Sequence, residues 1–296
     1  MAKVDWLTLR HSNKMPADGF TQPSSASLDP QAAPSMRSVL ICHEDSLLDR
    51  EGLSRWLGSF SDLAGIVVLR EKSGRKFQRV KREIKRVGIA RFADVSAFRL
   101  YYKLFRAAAD TAWEAELLAD LNNRFGDIDG VAILVTHSPN SPAAEAFIRE
   151  CSADIMIARC KVILNKRIFT LPSIGTFVMH PGICPEYRNA HGCFWALASG
   201  DEKNVGMTLL KVDDGVDTGP IYGYYRYQFD AQTESHFRIQ TRVVTENLDA
   251  VRAKLIDIVR GTGVPIDVSG RPSGVWGHPW MTKYIGWKRR ARLAGV

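Results

Sequence analysis

The chain has 296 residues, of which 45% are hydrophobic and 24% charged, a balance that excludes a disordered or fibrous protein and fits one large α/β domain or two small ones. No stretch approaches ~18 consecutive apolar residues and no charged-then-apolar leader opens the chain, which argues against a membrane span or a secretory signal and predicts a cytoplasmic protein. A net charge of +8 suits acidic partners but does not choose among nucleic acid, anionic membrane and a phosphorylated substrate.

Residues 1–36 carry Pro, Ser, Ala and Gln without sustained periodicity, and are expected to form a disordered extension. From "SVLICHE" onward, short apolar runs alternate with longer helical patterns. The runs fall at 38–43, 65–70, 130–137, 153–158, 175–180, 205–212 and 220–227, with helices expected near 47–59, 97–124, 142–151 and 190–199. This alternation predicts an α/β fold, a Rossmann-like, mostly parallel sheet with flanking helices. The first run ends in "CHEDS" rather than G-x-G-x-x-G, so the dinucleotide fingerprint is missing and NAD is not expected.

Between the second and third runs, "REKSGRKFQRVKREIKRVGIAR" (70–91) spaces Phe77, Val80, Ile84 and Val87 along one helical face with Lys and Arg on the other. It reads as a basic helical insertion of about 71–110 with a solvated face, and its alternative use is contact with an anionic membrane surface or nucleic acid. Beyond the sheet, apolar residues from Phe237 to Ile258 keep helical spacing and predict one long helix over 233–260. The following "GRPSGVWGHPWMTKYIGWKRR" places three tryptophans among glycines and prolines, and these are expected to anchor the tail on the core. The organisation expected is therefore an extension over 1–36, a catalytic domain over 37–228, and a packed helix and Trp-rich tail over 229–296.

Five cysteines, Cys42, Cys151, Cys160, Cys184 and Cys193, form no C-x-x-C pair and suggest reduced thiols rather than a disulfide frame or a metal site. The chemistry concentrates instead between residues 137 and 222. A strand there ends in His180-Pro181, followed by Pro185, Tyr187 and Arg188, then "FWALASGD", then Val216-Asp217-Thr218-Gly219-Pro220. A histidine can relay a proton near neutral pH, and an aspartate beside it can hold the useful tautomer.

In the order and spacing of these motifs the chain resembles the formyltransferase family, that of glycinamide ribonucleotide formyltransferase and of the catalytic domain of methionyl-tRNA formyltransferase. The resemblance covers 137–222 closely and 38–136 in strand order alone. It implies His180 and Asp217 as the catalytic pair, 10-formyltetrahydrofolate as the formyl donor, and no metal. It also implies that the donor's pterin lies against the loop Val212, Asp213, Asp214, Gly215 and Val216, with Pro185 lining the same cleft. One departure stands out. The family's catalytic asparagine, two residues before the histidine, is here Val178, which cannot donate a hydrogen bond. Asn189, His191, Thr176 and the backbone N–H groups near Ala190 are candidates to replace it. Asn189, His191 and His137 are expected to meet the substrate, a small-molecule amine or an amino sugar. A formyl-group hydrolase and an inactive ligand-binding homologue are the alternatives. The tail lacks the alternating strands of a separate barrel domain, which argues against initiator tRNA as acceptor.

Overall fold

Arg37–His43 (β1) is buried at every position after the first, because its two faces enter different cores. Leu40 and Cys42 join one apolar cluster, and Val39 and Ile41 join another. The alternation is the period of two expected of an extended chain covered on both sides. Each aliphatic side chain so buried stabilises the fold by about 1.5–3 kcal/mol. The computed structural model describes residues 36–71, 84 and 88–294, so the reading of 1–35 and of most of the basic stretch 70–91 lies outside the described residues.

After β1, a π-helical turn over Leu48–Leu53 leads into α1 (Ser54–Gly58) and β2 (Asp62–Leu69). Helices α2 (Ile89–Phe105) and α3 (Ala107–Phe125) precede β3 (Ala132–Thr136). Then follow α4 (Pro142–Cys151), β4 (Ile155–Arg159), α5 (Lys166–Phe169) and β5 (Gly175–His180). Beyond β5 come β6 (Arg188–Asn189), α6 (Gly192–Ser199), β7 (Met207–Lys211) and β8 (Ile221–Tyr225). The chain closes with α7 (His236–Thr245), α8 (Leu248–Val259), β9 (Val275–Trp276) and α9 (Met281–Ala294).

Seven strands form one sheet in the order β3-β2-β1-β4-β5-β7-β8. The pairs from β3 to β5 are parallel, whereas β7 and β8 run antiparallel. This is the α/β, Rossmann-like, mostly parallel architecture that the apolar runs predicted. The strand order reverses between β1 and β4, the point at which open α/β sheets leave a crevice beyond their carboxyl ends. Among the described residues no helix is long and apolar enough to cross a membrane.

Two helix predictions need correction. The pattern over 97–124 is two helices, interrupted at Arg106, whose backbone leaves helical geometry (φ −125°, ψ −34°) and whose guanidinium donates to the Thr233 carbonyl. The single helix expected over 233–260 is also two. Asn247 breaks it by turning its side-chain amide onto the carbonyls of Val243 and Arg226, a local bond that competes with helical pairing. Apolar periodicity continues across both breaks, so it could not reveal them.

The tail was expected to dock by its tryptophans, and it does so with added structure. Trp287 is 1% exposed in the main core, on a helix, α9, that the Gly- and Pro-rich sequence before it concealed. Of "KRRAR" (288–292), Lys288 donates to the carbonyls of Ala231, Gln232 and Glu234. Arg290 donates to those of Leu197 and Ala198 at the end of α6. Lys288 thus ties down the turn before α7 and Arg290 caps the end of α6, while Arg289, Arg290 and Arg292 stay exposed on the solvated face.

Candidate functional site

β5 is central in the sheet and its apolar run ends at His180, which is 5% exposed. A prolyl turn then folds residues 181–187 back over the strand end. His180 Nε2 lies 2.8 Å from the Tyr187 carbonyl oxygen. A carbonyl can only accept, so Nε2 carries the proton and donates it there. The other ring nitrogen, Nδ1, is 3.5 Å from Asp217 Oδ2. The tautomer is thus fixed by a backbone carbonyl rather than by the aspartate, a correction to the expectation drawn from residue types. Nδ1 is left as the ring atom that can take up a proton, and a carboxylate stands beside it.

Asp217 reaches this position from the loop between β7 and β8 with a left-handed backbone (φ 51°), an arrangement uncommon outside glycine, asparagine and aspartate. Its Oδ2 accepts the Asn189 N–H at 2.7 Å. Arg188 donates to the neighbouring Val216 carbonyl at 3.1 Å. Asp213 closes the loop internally, accepting from Gly215 N–H and from the Thr218 hydroxyl. The turn after His180 and the loop bearing Asp217 are therefore cross-tied.

Two glycines make the turn tight enough. A Cβ on Gly182 would stand 2.5 Å from the Tyr187 oxygen and 2.7 Å from His180 Nε2, and Gly192, at the start of α6, packs directly against Gly182. Gly182→Ala should therefore displace the ring or break its bond to Tyr187. The expected cost is about 1–3 kcal/mol of stability and a loss of any His180-dependent activity larger than that destabilisation explains. Thermal melts beside turnover assays of the same variant measure both, and wild-type turnover in the variant would refute the assignment of the tautomer.

The pair faces a cleft of about 980 Å³ whose walls come from the ends of β1, β4 and β5, the loop after β7, α7 and the tail. Its lining is partly apolar, with Ala158, Leu164, Val178, Leu210 and Val212, and partly polar, with Asp45, Ser46, Asp49, Glu114, Gln240 and Thr241. Burial, with Asp49 and Asp110 nearby, pushes the Glu114 carboxyl up. Arg159 donates from Nε to Asp49 and from a terminal nitrogen to the Met179 carbonyl, bracing the end of β5. His43 accepts the Lys161 N–H, and burial together with Lys161 pushes its pKa down. No cluster of three or more His, Cys, Asp or Glu residues among the described ones is arranged to hold a metal.

Of the residues singled out from sequence, His180, Asp217, Val212, Asp213, Gly215, Val216, Asn189 and His191 all line this cleft. Asp214 and Pro185 do not. Asp214 is exposed on the loop's outer side, and Pro185 is turned to the tail, where its carbonyl accepts the Gly274 N–H. His137 follows β3 at the opposite edge of the sheet, donating through Nδ1 to the Arg70 carbonyl. It does not reach the cleft. Missed from sequence were His43 and Arg159, which end β1 and β4, and Lys161 just beyond, all at the reversal of strand order, and Gln240 and His278, which arrive from distant elements. The first three had a signal in "CHEDS" and "ARCK", polar clusters closing buried runs.

The tail completes the site from behind. β9 pairs with β6, the Asn189 side-chain amide donates to the Trp276 carbonyl, and Trp195 donates to Gly277. Trp276 stacks between Trp195 and Tyr187, with ring centroids 4.7 and 5.8 Å away. Arg271 grips Glu186 through two hydrogen bonds.

Residues 115–254 match the formyl transferase family model. The methionyl-tRNA formyltransferase of Dehalococcoides mccartyi strain CBDB1 is 35% identical over 94 residues, 31% of this chain and 30% of that protein. The methionyl-tRNA formyltransferase of Sorangium cellulosum is 30% identical over 126 residues, 40% of each chain. The chain thus aligns with about a third of the length of these curated relatives. The X-ray structure of a sugar N-formyltransferase from Shewanella sp FDAARGOS_354 matches 87% of this chain and 88% of its own with a TM-score of 0.51 at 13% identity, which shows a shared fold.

Proposed function

We propose that this chain, a member of the formyl transferase family across residues 115–254, transfers a formyl group from 10-formyltetrahydrofolate to the amine of a small molecule, with His180 and Asp217 as the working pair. The observation that carries this reading is the disposition of His180 at the cleft wall, Nε2 fixed on a backbone carbonyl and Nδ1 open beside a carboxylate. An amine that attacks a formyl carbon must shed a proton. Nδ1 accepts it, Asp217 Oδ2 balances the positive ring, and the same proton then passes to the departing donor nitrogen. Each proton taken up is returned, so the ring ends the cycle as it began.

The cleft suits the donor. Its apolar lining of Val178, Leu210 and Val212 fits a flat heteroaromatic ring, and Asp213, Gly215 and Val216 line the same cleft. Bound there, the donor supplies an activated formyl carbon. The acceptor side is lined by Asp45, Ser46, Glu114, Gln240 and Thr241, groups that hydrogen-bond hydroxyls as readily as an amine. That chemistry favours an amino sugar, and a sugar N-formyltransferase shares the fold.

Calorimetric titration with 10-formyltetrahydrofolate and tetrahydrofolate, with formyl loss followed by absorbance in the presence of a panel of amino sugars, tests the reading. Binding and amine-dependent formyl release are expected. Release of formate without an amine would make the chain a hydrolase, and absence of binding by either folate would remove the donor from the account.

A further inference from the structure

Attack on a formyl carbon drives negative charge onto its oxygen, and the rate depends on a hydrogen-bond donor already aimed at that oxygen. Val178, on the same face of β5 as His180, lines the cleft with methyl groups. Several other donors near the catalytic ring are already engaged. The Thr176 hydroxyl is fully buried and donates to the Phe169 carbonyl. Asn189 gives its backbone N–H to Asp217 and its side-chain amide to Trp276. At the start of α6, Cys193 turns its N–H back onto the Pro181 carbonyl.

His191 differs. It precedes Gly192, whose backbone packs on Gly182, so it stands just behind the His180 turn, and its ring lines the cleft. A left-handed backbone (φ 56°) holds it there as the residue before α6. Gln240 Nε2 lies 3.3 Å from His191 Nδ1. An amide nitrogen only donates, so Nδ1 accepts and the ring's own proton sits on Nε2. Resting on the formyl-transfer reading, we infer that the Nε2–H of His191 is the donor that receives the developing oxyanion in this chain, in place of a side-chain amide at position 178. Burial, His236, His278 and Lys161 push the His191 pKa down to about 3. A ring kept neutral in this way polarises a carbonyl without competing for the proton that His180 handles.

The test compares His191→Ala, His191→Gln and the double variant His191→Ala/Val178→Asn, with kcat and KM measured for donor and acceptor and folding checked by thermal melts. His191→Ala should lose about 100-fold in kcat with little change in either KM, the effect of deleting one oxyanion donor. His191→Gln, which keeps a donor and a similar volume, should retain more than the alanine variant. The double variant should recover at least about tenfold over His191→Ala, because an amide at 178 restores a donor without restoring any packing by the imidazole. Wild-type kcat in His191→Ala, or a loss that the double variant does not recover, overturns the inference while leaving His180-dependent transfer intact. Absence of formyl release by the wild type overturns both readings together.

Discussion

Replacing His180 with alanine is expected to lower turnover in formyl transfer by about 10²–10⁴-fold, the range ascribed to a positioned proton-transfer group, while the affinity for the donor changes little. The substitution also leaves the Tyr187 carbonyl without its donor at a buried site, at a cost of about 1–3 kcal/mol. His180→Gln separates the two effects, since glutamine can still donate to that carbonyl but cannot carry a proton between substrates. Single-turnover formyl release, run beside chemical denaturation of both variants, makes the distinction. Alanine and glutamine variants equally inactive but unequally stable would support the assignment, and an alanine variant within threefold of wild type would end it. Asp217→Asn should be milder, about 10- to 100-fold, equivalent to about 1.4–2.7 kcal/mol of lost charge stabilisation. The tautomer of His180 is held by Tyr187 and survives the change, and asparagine tolerates the left-handed backbone of position 217. The oxygen of its amide can still accept the Asn189 N–H.

Acidification should unfold the protein through the histidines packed beside the cleft. His236 is 8% exposed and makes edge contacts with Phe98 and Tyr102, with centroids 5.0 and 4.9 Å away. Burial, with Lys288 and Arg106 nearby, pushes its pKa down to about 3, and His191 is pushed to a similar value mainly by burial. In the unfolded chain both rings bind protons below pH ~6.5, and in the folded one they do not until about 3. The unfolded state therefore holds the extra protons in that window, and stability is lost as the pH is lowered across it. Near its steepest, each ring contributes about 1.4 kcal/mol per pH unit. Between pH 6.5 and 5 the pair should remove roughly 3 kcal/mol, and His43, lowered in the same direction, adds to it. Urea midpoints measured over this range should show the slope. His236→Phe, which keeps the ring contacts and removes one titration, should flatten it by nearly half. A stability independent of pH over that interval would contradict the burial of neutral rings.

How much of this could be read from the sequence depended on where each force acts. All seven strands of the main sheet were legible as apolar runs, although only inner strands such as β1 and β4 are covered on both faces and the edge strand β3 leaves Ile133 and Val135 exposed, and the parallel arrangement followed from the helices between them. The breaks at Arg106 and Asn247 were not, since each is made by one polar side chain that turns onto backbone carbonyls, at Thr233 in the first case and at Val243 and Arg226 in the second. At the site, His180 and Asp217 stand 37 positions apart in sequence and 3.5 Å apart in space, and their motifs announced both. The Tyr187 carbonyl that sets the histidine's tautomer carries no sequence signature, being backbone. Gln240 and His278 reach the cleft only because α7 and the tail fold back over α6, and helical periodicity specifies which face of α7 is apolar but not what stands opposite its polar face.

The staple of the tail onto the turn behind His180 has a consequence for the order in which the protein matures. Asn189, which orients Asp217, is itself held by the carbonyl of Trp276, a residue made roughly 60 positions after Asp217. At ordinary synthesis rates of ~5–20 residues per second, a nascent chain would present both catalytic side chains about 3–12 s before the segment that braces them exists. During that interval the sheet can close while the cleft stays unfinished. Newly made molecules would therefore acquire their binding site last, together with the part of the main core that Trp287 fills.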